Sequence, residues 1–322
     1  MPEWLIERGI GETRAVLVEH GEIVESRIEL DGAVPAGSVI QARLVNNGTN
    51  GRNAIAIAEG GIEYLLPRGA PGVTQGATLN IEVTREDMPG TEPWKLPLGR
   101  ITDKEPQLLS PLAQRIGGKE LHFPGRGDEL AGLGWTDLID EARTGHVTFA
   151  GGELHIAVTP AMTLIDVDGY LEPEELAVLG SSEAARAIRR LDIGGSVGVD
   201  LPTVKGKAAR QASAMAIDAE LPQPFERTAM NGFGFMQIVR PRQRTSLLEL
   251  AQDHASFEAR ALLRRAAFEA PGSIRLVAAP PVIGLLRACR DWIDALARQV
   301  GGMIELRADA TLPMSGGYAQ NL

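Results

Sequence analysis

Cysteine is almost missing from this sequence, since Cys289 is the only one among 322 residues. A single thiol excludes an intramolecular disulfide and any zinc site made from several cysteines, so Cys289 is expected to be a small buried apolar residue. No apolar run reaches the roughly 18 residues that a membrane-spanning helix needs, and the opening MPEWLIERGIGE lacks the apolar core of a secretory signal. We therefore expect a soluble, cytoplasmic protein with no membrane association.

Positive charge is also in short supply, because 32 basic residues face 42 acidic ones and leave a net charge of −10. Nucleic-acid binding needs positive potential at the phosphates, so the chain as a whole is a poor candidate for it. The deficit is uneven. The segment from Thr203 to Arg244 has seven basic and three acidic residues, which gives it +4 and leaves −14 for the rest. Alone, this segment indicates a solvated basic face more often than a nucleic-acid surface.

The N-terminal half has the pattern of short β-strands. Alternating residues on either side of His20-Gly21 predict a β-hairpin. Between residues 34 and 100, strand-like runs are separated by Gly and Asn turns, which is typical of a small barrel such as the OB fold, although any small barrel fits equally well. The strands are predicted at Arg14–Val18, Ile23–Ile28, Val39–Val45, Ala54–Ala58 and Leu79–Val83. Residues 101–145 are irregular, with one short apolar helix candidate.

The C-terminal half alternates strands with helices, which predicts an α/β sheet. A second hairpin is predicted around Gly151-Gly152. The predicted strands are 146–149, 154–158, 162–167, 196–199, 234–239, 274–278 and 303–306. The predicted helices are 182–191, which Ser182 would cap, 205–220, 246–270 and 284–300.

Three aspartates, Asp166, Asp168 and Asp200, fall at the carboxyl ends of predicted strands, where α/β folds usually place ligands. Two unit charges about 4 Å apart repel by roughly 4 kcal/mol at an effective dielectric of 20, so converging carboxylates require a proton, an arginine or a cation. Mg²⁺ suits such a pair, because it binds one or two carboxylates together with water and phosphate oxygen. Strand-end aspartates are more often turn formers or helix caps, and this alternative stays open.

Other motifs are weak or missing. The sequence has neither a phosphate-binding P-loop nor an H-E-x-x-H metal helix. Gly194–Gly198 matches G-x-S-x-G, but a helix precedes it where a nucleophile elbow needs a strand, so it indicates a helix stop. The five histidines are scattered without ligand spacing, which predicts solvated or packed imidazoles.

The blocks TLIDVDG, RRLDIGG, VGVDLP, KGKAARQ and ERTAMNGFGFMQIVRPR follow one another between Thr163 and Arg244. In this order they resemble the catalytic segment of the ribonuclease E/G family. The resemblance implies a magnesium-dependent endoribonuclease that hydrolyses single-stranded RNA and leaves a 5′-phosphate. It also implies that Asp166 and Asp200 hold the metal, and that Asp168 replaces an asparagine that orients the attacking water.

The same resemblance implies a mixed α/β fold and a division into units. Residues 1–33 with 101–150 would form a ribonuclease-H-like unit, 34–100 an inserted OB-fold barrel, 151–245 a DNase I-like catalytic unit, and 246–322 a C-terminal α/β segment. We expect RNA to contact six residues of the barrel and the basic segment: Tyr64, Lys95, Lys205, Lys207, Arg240 and Arg242.

The chain departs from the family at its accessory motifs. The Cys-Pro-x-Cys zinc link that joins protomers is replaced by AQDHAS at Ala251–Ser256, so no zinc-linked dimer is expected, while a homo-oligomer formed by other contacts stays open. No Arg-Thr sensor for the RNA 5′ end occurs between Ile101 and Gly145, and Gly232 replaces the sensor's second arginine. An aromatic residue of the barrel is replaced by Leu65, beside Tyr64. These departures keep a non-catalytic RNA-binding protein as the alternative function, with a DNA nuclease as a third.

Overall fold

The structure, a computed structural model, describes residues 2–48, 50, 52–88, 95–125 and 127–322. These residues form a mixed α/β protein, as predicted. The strands are β1 (Glu3–Arg8), β2 (Glu12–Glu19), β3 (Glu22–Leu30), β4 (Val39–Asn46), β5 (Ala54–Ala58), β6 (Glu63–Leu66), β7 (Thr78–Arg85), β8 (Leu98–Ile101), β9 (Lys119–Leu121), β10 (His146–Phe149), β11 (Gly152–Val158), β12 (Thr163–Gly169), β13 (Gly195–Asp200), β14 (Glu226–Arg227), β15 (Phe235–Arg240), β16 (Ile274–Ala278), β17 (Ile304–Ala308) and β18 (Tyr318–Asn321).

The α-helices of the described residues are α1 (Leu112–Ile116), α2 (Glu129–Gly132), α3 (Trp135–Thr144), α4 (Pro173–Arg190), α5 (Lys207–Glu220), α6 (Leu247–Gln252), α7 (His254–Ala266), α8 (Pro280–Ala288) and α9 (Arg290–Val300). None of the helices in the described ranges combines the length and the apolar character needed to cross a membrane. Contacts divide the chain into two compact units. The first unit comprises Met1–Asp31, Ile116–Gly145 and Leu250–Leu322, and the second comprises Gly32–Arg115 and His146–Glu249.

The N-terminal sheet of the first unit has the strand order β3-β2-β1-β9. Strands β1, β2 and β3 are antiparallel, and β9 pairs with β1 in parallel. The predicted first hairpin is confirmed: His20 and Gly21 both have positive φ, 53° and 87°, which the tight turn between β2 and β3 requires.

The C-terminal part of the first unit is a second sheet, of order β17-β16-β18, packed with α7, α8 and α9 around an apolar core that includes Leu262, Leu276 and Leu286. The predicted helix 246–270 is wrong as one element, because Asp253 ends α6 and caps α7 by accepting a hydrogen bond from the Ser256 amide. The predicted helix 284–300 is likewise two helices that meet at Cys289, which is partly exposed rather than buried. Strand β18 was not predicted.

A network of buried charged side chains joins β1 and β2 to α7 within the first unit. Glu7 accepts hydrogen bonds from Arg14 Nη1 at 2.6 Å and from Arg264 Nε at 2.9 Å. Glu12 accepts from Arg14 Nε at 2.7 Å and from Arg260 Nε at 2.8 Å. All five side chains are at most 7% exposed. Burial at this level is tolerated because each charge faces an opposite one.

The barrel of the second unit is closed, with the strand order β4-β5-β6-β8-β7. Leu44, Ala56, Leu66, Ile81 and Val83 are buried at its centre. The prediction of a small closed barrel in this part of the chain is therefore confirmed. Because its strands pair around the full circle, the barrel leaves no open sheet edge among the described strands.

The second unit also contains a six-stranded sheet of order β10-β11-β12-β13-β15-β14. Buried and exposed side chains alternate along β12, so Ile165 and Val167 face a core with α4 while Asp166 and Asp168 face out. The predicted start of this helix at Ser182 is wrong. The helix begins at Pro173, whose fixed φ suits a first helical position, and Ser182 lies within it and donates a hydrogen bond to Glu220.

Candidate metal centre

Asp166 and Asp200 lie side by side on neighbouring strands. Strands β12 and β13 run parallel, and Asp166 is the register partner of Asp200. Asp168 lies two residues further along β12, and side chains two apart share a face of a strand. All three aspartates are exposed. The sequence predicted strand-end carboxylates that would converge if the two strands were neighbours, and the strands are neighbours.

The charges of this aspartate cluster act on one another. The pKa of Asp166 is raised, first because neighbouring atoms exclude some of the water around its carboxylate and then because of the negative charges of Asp168 and Asp200. His155 and the Val167 amide oppose the rise. A carboxylate whose pKa is raised by its neighbours is stabilised by a nearby cation, because the cation offsets the repulsion that disfavours the ionised form.

The aspartates line a cleft of about 390 Å³. The rest of its lining is apolar and consists of Val167, Gly169, Leu171, Pro173, Leu176, Leu201 and Pro202. Carboxylate oxygens are the kind of ligand that Mg²⁺ takes, and the ion keeps several waters that a substrate phosphate can replace. The carboxylate oxygens of Asp166, Asp168 and Asp200 do not all lie within 4.8 Å of one another. No cysteine, methionine or histidine lines this cleft, so its ligand atoms are oxygens, which hard cations such as Mg²⁺ prefer.

A glycine holds the loop that follows Asp200. Gly234 has φ +99°, and a Cβ placed on it would lie 2.1 Å from the carbonyl oxygen of Leu201. The Leu201 amide in turn donates a hydrogen bond to the Gly234 carbonyl. The two loops at this edge of the sheet therefore approach one another backbone to backbone, which only glycine permits.

We expect Gly234→Ala to lower the free energy of unfolding by about 1–3 kcal/mol, the usual cost of a non-glycine residue in a sparsely populated backbone conformation. It should also weaken cation binding, because the clash moves the segment after Asp200. Urea denaturation would measure the first effect. Gly232→Ala is the matched control, since its φ is not positive and its Cβ would meet nothing within 4 Å. Equal losses in the two variants would contradict the role given to Gly234.

Two aromatic side chains near the cleft were missed by the sequence analysis. Tyr170 follows Gly169 at the end of β12 and is 85% exposed, and Phe233 is 84% exposed. The carbonyl of Phe233 accepts a hydrogen bond from the Thr203 hydroxyl, which places it beside the segment that leaves β13. Both rings thus belong to the same edge of the sheet as Asp168 and Asp200. Tyr170 comes directly after the strand that carries Asp166 and Asp168, and Phe233 begins the run Phe-Gly-Phe at 233–235. Both positions could have been recognised in the sequence.

The predicted RNA-contacting lysines of the basic segment also lie at this edge. Lys205 is exposed in the loop between β13 and α5, and Lys207 is the exposed first residue of α5. They follow Asp200 by five and seven residues, so the loop carries them out of the sheet at the end where the carboxylates are. Neither lysine lines the aspartate cleft, and Lys207 lines another cavity together with Arg210 and Arg227, so contact with a substrate phosphate stays a prediction.

The predicted RNA-contacting arginines lie elsewhere. Arg240 pairs with Gly195 and Phe235 with Asp200, so Arg240 lies five residues, or roughly 17 Å, along the sheet from Asp200. Its Nη1 donates to the Ile193 carbonyl at 2.9 Å. Arg242 forms an ion pair with Glu249. Both guanidinium groups therefore hold the fold together away from the cleft, and the sequence could not distinguish this use from phosphate binding.

The two residues predicted for the barrel are placed differently from one another. Tyr64 is 2% exposed and packs in the barrel core, where burial raises the pKa of its hydroxyl. A ring buried to this degree offers little surface for stacking on a base, and it forms part of the lining of a groove on the barrel. The Lys95 ammonium donates to the Pro160 carbonyl at 3.3 Å, next to the turn between β11 and β12.

Another group of polar side chains occupies the same exposed face of the sheet. His146 is the register partner of His155, and the Glu153 carboxylate accepts hydrogen bonds from both rings. His155 is the register partner of Asp166. The sequence analysis predicted solvated or packed imidazoles and did not predict that these two lie together. The predicted hairpin around Gly151-Gly152 could have indicated this pairing. A two-residue turn after Phe149 places His146 opposite His155.

No protein-family model matches this chain, and no curated protein sequence matches it. The resemblance to the ribonuclease E/G family thus stays a prediction from the sequence blocks. A function can therefore be proposed only from the exposed face of the sheet that carries Asp166, Asp168 and Asp200.

Proposed function

We propose that this protein is a magnesium-dependent endoribonuclease that hydrolyses phosphodiester bonds in single-stranded RNA. The observation that carries the proposal is the pairing of Asp166 with Asp200 on parallel neighbouring strands, with Asp168 on the same exposed face. Under this proposal residues 34–100 form an OB-fold barrel, residues 1–33 with 101–150 form a ribonuclease-H-like unit, and residues 151–245, which include Asp166, form a DNase I-like unit. These finer fold assignments come from the sequence resemblance.

The residues divide the chemistry between them. Asp166 and Asp200 would hold Mg²⁺, which supplies positive charge at the scissile phosphate and acidifies a water molecule. Asp168 would accept a hydrogen bond from the attacking water and orient it toward phosphorus. As the new P–O bond forms and the bond to the 3′-oxygen breaks, the water would lose a proton to solvent and the 3′-oxygen would gain one from solvent, which leaves a 3′-hydroxyl and a 5′-phosphate. Lys205 and Lys207 bind the adjoining backbone phosphates.

The proposal is tested with a fluorogenic single-stranded RNA and the purified full chain. We expect cleavage in the presence of Mg²⁺, loss of cleavage with EDTA, and recovery when Mg²⁺ is added in excess. A matched single-stranded DNA should be cleaved far more slowly. Equal cleavage of both would favour a DNA nuclease, and cleavage that persists in EDTA would contradict the metal mechanism.

We propose that the exposed rings of Tyr170 and Phe233 stack on bases on either side of the scissile phosphate. Base stacking contributes about 1–3 kcal/mol per base. Each change to alanine should therefore weaken RNA binding by roughly 5- to 150-fold. Fluorescence anisotropy with labelled RNA in Ca²⁺ or EDTA would measure binding without turnover.

Tyr318→Ala, in β18 of the first unit, is the matched control for these two variants, because it removes a ring that is 45% exposed from a different sheet. We expect it to bind RNA as the wild type does. If Tyr170→Ala and Phe233→Ala also bind as the wild type does, neither ring contacts the bases.

A second candidate is an RNA-binding protein without catalytic activity. It is favoured by a groove of about 680 Å³ on the barrel, lined mainly by apolar side chains such as Val39, Ile57 and Leu108. That groove can hold bases without any contribution from the aspartates. In the same assays, tight RNA binding without magnesium-dependent turnover would support this candidate.

A further inference from the structure

The hairpin formed by β10 and β11 brings three metal-binding side chains together outside the aspartate cleft. One donor atom from each of His146, Glu153 and His155 lies within 4.8 Å of the other two. The Glu153 Oε2 atom is 2.7 Å from His146 Nε2, and its Oε1 atom is 3.2 Å from His155 Nε2. The two rings are stacked, with centroids 5.0 Å apart and an interplanar angle of 27°.

The backbone fixes this arrangement. His146 and His155 are directly opposite one another in an antiparallel pair, and Glu153 precedes His155 by two residues, so all three side chains leave the same face. Strand β11 is held on its other side by β12 along its whole length. The donors are therefore placed by two hydrogen-bonded ladders rather than by a loop. Little conformational freedom is lost when an ion binds to such a scaffold.

We propose that His146, Glu153 and His155 form a binding site for a divalent transition metal of the zinc class. Imidazole nitrogen is a good ligand for zinc, copper and nickel, whereas Mg²⁺ prefers oxygen. Two histidines and one glutamate leave a fourth tetrahedral position open, as in zinc sites that bind water or a substrate. The three side chains are 40–51% exposed, so that position faces solvent.

This site is separate from the aspartate cleft but adjoins it. His155 pairs with Asp166 across the strands, and Glu153 pairs with Asp168. A zinc-class ion would therefore bind one strand away from the proposed magnesium site and would add positive charge beside three carboxylates. Its ligands do not include Asp200, so the two sites are distinguishable by mutation.

The proposal is tested by titrating metal-free protein with Zn²⁺ in a calorimeter. We expect one equivalent to bind per chain when excess Mg²⁺ is present to occupy the aspartate cleft. His146→Gln, His155→Gln and Glu153→Gln should each weaken that binding by at least about tenfold, because loss of an outer-shell partner alone costs about 10- to 100-fold. His122→Gln is the matched control, because it removes an exposed histidine outside the group. Asp200→Asn should also bind Zn²⁺ as the wild type does.

X-ray absorption of the zinc-loaded wild type provides a measurement that needs no variant. We expect histidine nitrogen in the first coordination sphere at roughly 2.0–2.1 Å. Failure to bind stoichiometric Zn²⁺, unchanged binding in all three ligand variants, or loss of binding in Asp200→Asn would each overturn the proposal. None of these outcomes depends on RNA cleavage, so the zinc site and the proposed nuclease activity can fail independently.

Discussion

Asp200→Asn is expected to reduce magnesium-dependent RNA cleavage by about a thousandfold, equivalent to ~4 kcal/mol of lost transition-state stabilisation. The amide keeps the shape of the carboxylate but removes the charge that holds the cation. Asp200 is exposed at the end of β13, so the substitution should leave the fold intact. Initial rates at saturating Mg²⁺ would measure the loss, and circular dichroism would show that the variant is folded.

Asp103→Asn is the control for this variant. It makes the same change of charge at an exposed position of the second unit that does not line the cleft. We expect cleavage at the wild-type rate. If Asp200→Asn and Asp103→Asn have equal activity, Asp200 does not hold the catalytic metal. The proximity of Asp166 and Asp200 on β12 and β13 then does not contribute to catalysis.

The aspartates could be predicted from the sequence because their placement follows from local pattern. A β-rich run that ends in acidic residues identifies the end of a strand, and alternation along β12 places Asp166 and Asp168 on one face. Whether Asp200 is beside them depends on strand order, which is a long-range property. The resemblance supplied the expectation that these aspartates share one site, and the register of β12 with β13 agrees with it.

The uses of the charged residues were harder to predict. Arg242 and Lys205 belong to the same basic segment, yet one is paired with Glu249 and the other is exposed in a loop. Sequence composition counts both equally as positive charge. The difference arises from contacts with residues distant in sequence, as in the pairing of Glu7 with Arg264, 257 residues later.

Glu7→Gln is expected to lower the free energy of unfolding of the first unit by about 3–5 kcal/mol, because breaking a buried ion pair leaves uncompensated charge. Glu7 is 3% exposed and accepts hydrogen bonds from both Arg14 and Arg264. The glutamine cannot offset either guanidinium charge. Urea denaturation followed by tryptophan fluorescence would measure the effect, since three of the four tryptophans belong to this unit: Trp4, Trp135 and Trp292.

Glu3→Gln is the control, because it removes the same charge at an exposed position of β1. It therefore distinguishes the effect of losing a buried charge from the effect of losing any glutamate charge. Surface changes of this kind usually alter stability by less than about 0.5 kcal/mol. A loss in Glu7→Gln as small as that in Glu3→Gln would mean that Arg14 and Arg264 find other partners or water. A large loss in Glu7→Gln alone would show that β1 and α7 are joined through buried charge as well as apolar packing.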